Sequence, residues 1–514
     1  MLSVVLTAVS ATLTYSLVVL VGLLLWFQWR HRDLIRAAYS MPTVLPTLPI
    51  IGHAHLTIMG LDKMTEAALQ FSRQAVAKGI SIACFWCGPL PVFVVHGLED
   101  IQTVLKCSHV LHKPTELTCL EKFFGFGLLT APVEVWKVTR RYLNHLFHPR
   151  NLDQMMPTFN RNSQELVGEL CRHEGNSQVD VQSYTMHTAL KTVCHLVFGP
   201  DVEFDTKSES FEGLMKVVER IPHFFTIRAV RPWLRIDTLF YFLYQRDLEE
   251  VDRLYKNFTE APLKETRVKN ELKNKLAEQE SADGKVSFTG PKNLVEVYAT
   301  MQENFPQFTE EHLKTEMVTM YGTGTDTTGT ALASCLLTLA QYQDIQERLY
   351  QEIISVVGTD SDVTAKDLQS MTYLDQVYKE TLRWFTISHF ALRKTSEDIK
   401  LSSCTIPANN TVCISLGGLL MNPHIFQNPE KFDPDRFSPK NAFGKERFAF
   451  LPFSGGPRNC IGQMYANMLI KVAIIHVMRR FKLSTDMNIH TMKRVLSVLL
   501  VSTEGYNIKF QRRR

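Results

Sequence analysis

The residue with the clearest chemical potential in this chain is Cys460, which lies in the segment Phe453-Ser-Gly-Gly-Pro-Arg-Asn-Cys-Ile-Gly462. Gly456 and Gly462 stand four residues before and two residues after the cysteine, so backbone amides can approach its sulfur and stabilise a thiolate. An apolar helix is predicted from about residue 463 to 481, and its N-terminal dipole also favours negative charge on the sulfur. Such a thiolate can ligate a metal ion, whereas an inert cysteine in a turn is the alternative.

A second group of polar residues lies within a long helical pattern from about Thr309 to Gln341. Glycines at positions 322, 324 and 329 each disfavour the helix by about 1 kcal/mol relative to alanine. The run Asp326-Thr327-Thr328 adds side chains that compete for backbone hydrogen bonds. We therefore expect a local opening, in which the Thr327 hydroxyl bonds the Thr323 carbonyl and a groove can hold a diatomic ligand and water. A helix kink without chemistry is the alternative.

Two residue pairs have helical spacing. Glu380 and Arg383 are three residues apart, and Trp136 and Arg140 are four apart, so each pair shares one face of a predicted helix. Neither pair is informative by itself, because surface ion pairs contribute about 0–1 kcal/mol and tryptophans often pack against arginine stems.

Together these segments resemble the cytochrome P450 superfamily, whose pattern Phe-x-x-Gly-x-Arg-x-Cys-x-Gly is matched at every fixed position from Phe453 to Gly462. The segments Glu380-Thr-Leu-Arg383 and Phe432-Asp-Pro-Asp-Arg-Phe437 resemble two further landmarks of that family. The segments Phe123-Phe-Gly-Phe-Gly-Leu-Leu and Arg231-Pro-Trp-Leu234 resemble the branch that contains fatty-acid ω-hydroxylases and many insect relatives. Thr323 stands where that branch often has a glutamate, so the ester bond that some members form to haem is not expected.

The resemblance implies a haem b cofactor with Cys460 as the axial ligand of its iron. It implies that Asp326 supplies protons and that Thr327 holds the hydrogen bonds of the dioxygen. The implied cofactor-binding residues are Cys460, Trp136, Arg140, Arg393, Phe453 and Arg458. Glu380, Arg383 and Arg436 would form a buried network that braces the haem-binding core.

The resemblance also implies a mainly α fold with small β-sheets, in which a single large domain holds haem between the long central helix and the helix after the cysteine loop. Strand patterns are visible at residues 82–86 and 92–96, with Gly88-Pro89 as the turn, and around residues 405–414 with a turn at 408–410.

The implied reaction is the insertion of one oxygen atom into a lipophilic organic substrate. The glycine cluster at 322–329 lacks dinucleotide spacing and follows a helical pattern. Since the chain has no evident flavin or nicotinamide site, an NADPH-dependent cytochrome P450 reductase would supply electrons, with cytochrome b5 as a second candidate donor. A haem-thiolate isomerase or dehydratase and a non-catalytic haem carrier are the alternatives, and the Asp326-Thr327 pair argues against the first.

The N-terminus predicts a membrane anchor. Residues 4–27 form a charge-free apolar stretch, which as a helix would span the roughly 30 Å hydrocarbon core. A cleaved signal peptide is the alternative, but no positively charged segment precedes the stretch. The basic residues Arg30, His31, Arg32 and Arg36 follow it, which places the rest of the chain in the cytosol, at the endoplasmic reticulum membrane. We expect an anchor at 1–30, a basic and proline-rich hinge at 31–52 and a catalytic domain at 53–514.

The composition excludes two classes of protein, a nucleic-acid binder and a disulfide-rich scaffold. The 56 basic and 52 acidic residues give a net charge of +4, which does not suit a nucleic-acid binder. Ten cysteines in 514 residues are too sparse for a disulfide scaffold. An apolar cavity could be lined by Phe123, Phe124, Phe126, Phe224, Phe225 and Phe385, although aromatic residues in a chain with 31 phenylalanines more often belong to an ordinary core. The segment 223–233 mixes apolar and basic residues, as a second membrane-dipping loop would.

Overall fold

The computed structural model describes residues 2–48, 51–58, 60–87, 90–175, 178–282, 292–441 and 448–513. This part of the chain is mainly helical with small sheets, which confirms the predicted fold class. Its α-helices are α1 (Leu2–Arg30), α2 (Arg32–Tyr39), α3 (Ala54–Ile58), α4 (Leu61–Ala77), α5 (Leu98–Lys106), α6 (Thr115–Thr118), α7 (Glu121–Phe124), α8 (Val133–Leu146), α9 (Pro149–Gln154), α10 (Met156–Leu170), α11 (Gln182–Phe198), α12 (Glu209–Val230), α13 (Asp237–Ala282), α14 (Leu294–Asn304), α15 (Glu310–Gln341), α16 (Gln343–Val357), α17 (Ala365–Ser370), α18 (Thr372–Phe385), α19 (Leu416–Leu420) and α20 (Gln463–Arg480).

The strands are short and their sheets are small. They are β1 (Ile82–Cys87), β2 (Leu90–Val95), β3 (Val179–Asp180), β4 (Phe390–Lys394), β5 (Ile399–Lys400), β6 (Thr405–Ile406), β7 (Thr411–Ser415), β8 (Phe481–Ser484), β9 (Arg494–Leu496), β10 (Leu500–Ser502) and β11 (Asn507–Arg512). The largest sheet in the described residues has the order β1-β2-β7-β4. A three-stranded sheet has the order β3-β11-β8, and β5-β6 and β9-β10 form two-stranded ribbons.

The predicted hairpin of β1 and β2 is confirmed, with Ile82 opposite Val95 in antiparallel register. Its turn at Gly88-Pro89 lies outside the described residues. The pattern around 405–414 forms strands on both sides of a turn in which Asn409 has a φ of 62°. These two strands do not pair with each other, because β6 pairs with β5 and β7 pairs with β2 and β4.

The long central helix α15 begins and ends almost where the sequence predicts. Every residue from Thr328 to Ala340 is buried, so this half of the helix is surrounded by protein on all sides. Two of its glycines permit a close approach of α11: a Cβ at Gly324 would lie 2.8 Å from Val193, and one at Gly329 would lie 2.6 Å from Met186. Helix α15 is continuous through this glycine cluster, so the expected opening does not break it. Packing against α11 explains these two glycines.

The C-terminal half of α15 packs against α18 and α20. Helix α20 is largely buried and begins directly after the cysteine loop. Buried residues of α15, α18 and α20 belong to one hydrophobic core.

The N-terminal helix α1 contains a segment, Ser10–Arg30, that is long and apolar enough to cross a membrane by length and composition. Helix α2 follows it and buries Leu34 and Ala38 against the sheet that contains Ile82 and Val412. Part of the segment predicted to be a hinge at 31–52 is thus packed on the body of the protein.

Two buried histidines flank the largest sheet. His96 follows β2 and His389 precedes β4, and in the described residues neither ring nitrogen of His389 has a hydrogen-bond partner. Burial lowers the pKa of His96 to about 4. Burial, with Arg494 and Arg73 nearby, lowers the pKa of His389 to about 3. Both rings are therefore neutral in the folded protein at neutral pH.

We predict that these histidines make the protein sensitive to mild acid. Since the folded pKa lies below the unfolded value of about 6.5, the unfolded state takes up the proton first, and stability falls as the pH drops from about 6.5 towards 4. Each such histidine contributes about 1.4 kcal/mol per pH unit in that window. Urea unfolding of wild type and His389→Asn at pH 7, 6 and 5 measures the effect. The variant should lose stability less steeply, and equal slopes would contradict this assignment.

Candidate active site

The cysteine loop is a tight turn held by its own backbone. The Cys460 amide donates to the Phe453 carbonyl at 3.1 Å. Gly456 has a φ of 72°, and a Cβ there would collide with the Leu105 carbonyl, so this position requires glycine. The Cys460 side chain is exposed, at the start of the largely buried α20. The surrounding protein desolvates the thiol and so raises its pKa, whereas a hydrogen bond from the Gly462 amide and the charge of Arg140 lower it.

The polar segment of α15 presents hydroxyls and a carboxyl. The Thr327 hydroxyl donates to the Thr323 carbonyl at 2.6 Å, as expected from the sequence. Thr323 is exposed, and Asp326 and Thr327 are half-buried, whereas the following residues are buried. Burial, with the negative charge of Glu219, raises the pKa of Asp326 to about 6. This carboxyl can therefore exchange a proton near neutral pH, as an acid that relays protons must.

Arg458 is a buried cation beside the cysteine loop. Its guanidinium donates to the carbonyls of Leu111, Leu128 and Ala131 at 3.1, 3.4 and 3.0 Å. It also lies over the Trp136 ring, 4.2 Å from the ring centre, so two of the predicted cofactor-binding residues are in contact with each other. Burial, with the charges of Arg393 and Arg140, lowers the pKa of Arg458 to about 9.

Two further cations lie close to Arg458. Arg393 donates to the Arg458 carbonyl at 3.3 Å, and burial lowers its pKa to about 10. Burial lowers the pKa of Lys113 well below its usual value, and the charges of Arg393 and Arg458 lower it further. No ion pair links these three residues, which we call the cation cluster, to a carboxylate in the part of the chain that the structure describes. The cluster therefore suits a ligand that carries carboxylates.

Arg140 links helix α8 to the cysteine loop. It donates to the carbonyl and the side-chain oxygen of Asn459, at 2.8 and 2.7 Å, and to Asn144 at 3.0 Å. It therefore fastens α8 to the residue that precedes Cys460. Its predicted contact with a haem carboxylate stays a prediction.

Glu380 forms the predicted network. Its carboxylate accepts from Arg383 at 2.7 and 2.9 Å and from Arg436 at 3.1 Å. The Asp433 amide donates to the same carboxylate at 2.8 Å. Glu380 and Arg383 are fully buried. Arg436 also donates to the Gln427 and Lys431 carbonyls, so the network ties α18 to the chain segment 427–436.

Comparison with known proteins decides the family. The cytochrome P450 family model matches residues 42–510. This chain belongs to the cytochrome P450 family. The protein is similar to human (Homo sapiens) cytochrome P450 4V2, with 27% identity over 482 residues that cover 92% of this chain and 90% of the relative. It is similar to cytochrome P450 4c21 of Blattella germanica, with 26% identity over 483 residues that cover 93% and 94%.

The probable cytochrome P450 4aa1 of Drosophila melanogaster is 27% identical over 478 residues, which cover 91% of this chain and 89% of the relative. The resemblance to the superfamily and to the branch with insect members is therefore confirmed. The protein is a monooxygenase of the oxidoreductase class.

The residues of this cytochrome P450 fit a haem. Haem carries two carboxylates at one edge and an iron that takes a thiolate as axial ligand. The cation cluster offers charge for carboxylates, and it has no protein carboxylate among the described residues to neutralise it. Cys460 offers a thiol just before the start of α20. Both requirements are met within the same region of the core.

Lys113 belongs to the cation cluster, but the sequence did not predict a role for it. A lysine in His112-Lys113-Pro114 matches no motif, and its neighbours Arg393 and Arg458 lie roughly 280 and 345 residues away in the chain. Only the folding of the chain brings these charges together.

Of the six candidate phenylalanines, Phe224 and Phe385 belong to the main hydrophobic core, and Phe124 and Phe225 pack against it. Phe224 and Phe385 are buried, with Phe224 packed on Phe240 and Tyr244. Phe126 is exposed, Phe124 and Phe225 are half-buried, and the Phe123 side chain lies outside the described residues.

We predict that removing the Glu380 carboxylate destabilises the protein strongly, because two buried or half-buried arginines would lose their charge partner. The Glu380→Ala variant should lose about 3–5 kcal/mol of unfolding free energy. Asp435→Asn is the matched control, since it breaks an exposed ion pair with Arg348 at 2.9 Å and should cost at most about 1 kcal/mol. Urea unfolding measures both, and equal losses would contradict the bracing role.

Proposed function

We propose that this cytochrome P450 inserts one atom of dioxygen into a lipophilic substrate, using electrons from a separate NADPH-dependent reductase. The observation that carries the proposal is Cys460, two residues from Arg458 in a cluster of cations that has no ion pair with a protein carboxylate in the described residues. The Asp326-Thr327 pair on the adjacent central helix supports oxygen chemistry over a carrier function.

Each residue has a distinct role in this proposal. Cys460 would ligate the iron of haem b, and Phe453 would hold the loop through its carbonyl. When bound, the haem supplies the iron chemistry that activates dioxygen and oxidises a carbon atom. Asp326, with its raised pKa, holds a proton near neutral pH and passes it towards Thr327. The Thr327 hydroxyl, anchored on the Thr323 carbonyl, orients the acceptor of that proton.

The cation cluster would hold the haem carboxylates. Arg458 and Arg393 are buried, so ion pairs with those carboxylates would be poorly screened by water. Trp136 supports Arg458 from one side, because its ring faces the guanidinium. Lys113 adds a third charge from the segment before α6.

Electrons would arrive from a partner, since the sequence has no evident flavin or nicotinamide site. Lys137 and Arg141 are exposed on α8, the helix that Arg140 fastens to the cysteine loop, and they suit an acidic reductase surface. Lys137 is partly neutralised by Glu134 at 3.2 Å, which leaves Arg141 as the freer charge of the two. Cytochrome b5 would compete for the same face.

Membrane attachment would bring the enzyme to its reductase and to lipophilic substrates. Helix α1 is the proposed anchor, at the endoplasmic reticulum with the catalytic domain in the cytosol. A second contact is supported by exposed apolar side chains near the start of α13, whose members are Trp233, Ile236, Tyr241, Phe242 and Leu243. Phe224, in the segment 223–233 that the sequence suggested as a membrane-dipping loop, lies in helix α12 and is buried, so it does not insert.

The proposed function is tested on the haem-loaded, full-length protein. The reduced protein with carbon monoxide should show the thiolate-type absorption band, and Cys460→Ser should lose it. An unchanged band in the variant would assign the ligand elsewhere. Reconstitution with reductase, NADPH and a panel of lipophilic compounds should give NADPH-dependent product. Product formed from peroxides without NADPH would indicate an isomerase or dehydratase, and no product with any compound would indicate a haem carrier.

We predict that the two sequons at Asn257 and Asn409 stay unglycosylated in cells, because the catalytic domain faces the cytosol. Both asparagines are exposed, so burial does not protect them from modification. Treatment with an endoglycosidase should leave the mass of the membrane-bound protein unchanged. A mass decrease that disappears in Asn409→Gln or Asn257→Gln would place the domain in the lumen.

A further inference from the structure

The segment from Phe124 to Ala131, which we call the α7–α8 loop, docks directly on the central helix. Gly125 has a φ of 69°, and a Cβ there would lie 2.5 Å from the Thr315 hydroxyl. A Cβ at Gly127 would collide with the Thr319 hydroxyl. Thr315 and Thr319 lie one helical turn apart on α15. The two glycines opposite them thus let the loop backbone approach the helix closely.

Between these two contacts lies Glu316, a carboxylic acid that is 1% exposed. One of its oxygens accepts a hydrogen bond from the Leu128 amide at 2.8 Å. Burial raises the pKa of Glu316 to about 7, while the Leu128 amide and the Tyr298 phenol on α14 lower it. Among the described residues, no charged side chain contributes to this shift of the Glu316 pKa.

Leu128 is bound from its other side by the cysteine loop. Its carbonyl accepts from Arg458 at 3.4 Å, and the carbonyl of Ala131 accepts from the same guanidinium at 3.0 Å. Arg458 stands two residues before Cys460. Leu128 therefore connects a carboxylate of α15 to an arginine of the cysteine loop through its own amide and carbonyl.

We propose that Glu316 is a positioning residue that fastens the α7–α8 loop to α15 and thereby fixes the carbonyls that hold Arg458. The second half of this role, at the haem edge, rests on the proposed function. The first half concerns only the contact between Glu316 and Leu128.

The strength of this contact depends on the charge of Glu316. Hydrogen bonds to an ionised acceptor are roughly twice as strong as bonds between neutral groups. Glutamine keeps a neutral oxygen acceptor for the Leu128 amide, whereas leucine keeps the approximate volume and removes the acceptor. The groups that face Glu316 are the Leu128 amide and Tyr298, neither of which is charged near neutral pH.

The experiment measures amide hydrogen exchange of the peptide that contains residues 124–131 in the full-length, haem-loaded protein. We compare wild type, Glu316→Gln and Glu316→Leu at pH 6 and pH 8. Glu311→Gln is the matched control, because Glu311 is exposed in the first turn of the same helix. Since position 316 lies outside the peptide, the intrinsic exchange rate is the same in every protein at a given pH.

Protection should be highest in wild type, lower in Glu316→Gln and lowest in Glu316→Leu at pH 8, with Glu311→Gln unchanged. The ratio of protection in wild type to that in Glu316→Gln should be near one at pH 6 and rise by about fivefold at pH 8, as Glu316 ionises. A ratio that is the same at both pH values would overturn the proposal. Since Glu316→Gln retains an acceptor, this test holds even where Glu316→Leu fails to fold.

The effect at the haem edge has a separate readout. Resonance Raman bands of the haem carboxylate side chains report their hydrogen bonding, and they should shift in Glu316→Gln but not in Glu311→Gln. Exchange that changes without a Raman shift would refute the link to Arg458 while leaving the loop contact intact. Neither measurement needs substrate or reductase, so failure of the proposed function would show in the reconstitution and failure of this role would show here.

Discussion

The guanidinium of Arg458 holds the two sides of the candidate site together. It belongs to the cysteine loop, yet all three of its carbonyl partners belong to the segment between residues 111 and 131. A buried charge needs such polar partners, because an unpartnered charge in a protein interior is very costly. The cysteine loop and the 111–131 segment therefore fix each other's position. The Trp136 ring packs against one face of the Arg458 guanidinium.

The central helix is the second constraint, since it combines tight packing with polar groups. Its residues Gly324 and Gly329 serve the approach of α11, whereas Asp326 and Thr327 remain partly accessible. A sequence optimised for a helix would avoid this composition. Local sequence rules are most often broken where function demands it, and α15 breaks them where the candidate oxygen site lies. The same helix carries Glu316, which belongs to its contact with the α7–α8 loop.

The Glu380 network differs from both in kind, because it pairs a buried carboxylate with two guanidiniums. Arg383 contacts the carboxylate from the same helix, and Arg436 approaches from a segment more than 50 residues later in the chain. Buried ion networks often add little net stability compared with apolar packing, but breaking one is strongly unfavourable. This network thus ties α18 to the 427–436 segment.

The sequence by itself determined the features that depend on short-range spacing. These include the tight turn around Cys460, the extent of α15, the Thr327–Thr323 hydrogen bond, the Glu380–Arg383 pair and the hairpin of β1 and β2. Turn-forming residues, helical periodicity and the alternation of apolar and polar residues in strands act within a few positions, so the local sequence predicts them. The tertiary structure alone decided which distant groups meet. It paired β7 with β2 and β4, turned Arg140 towards Asn459, placed Lys113 beside Arg393 and Arg458, and buried Glu316 against Leu128. The reason is that these contacts join residues up to hundreds of positions apart, and their energies depend on burial, which no local pattern encodes.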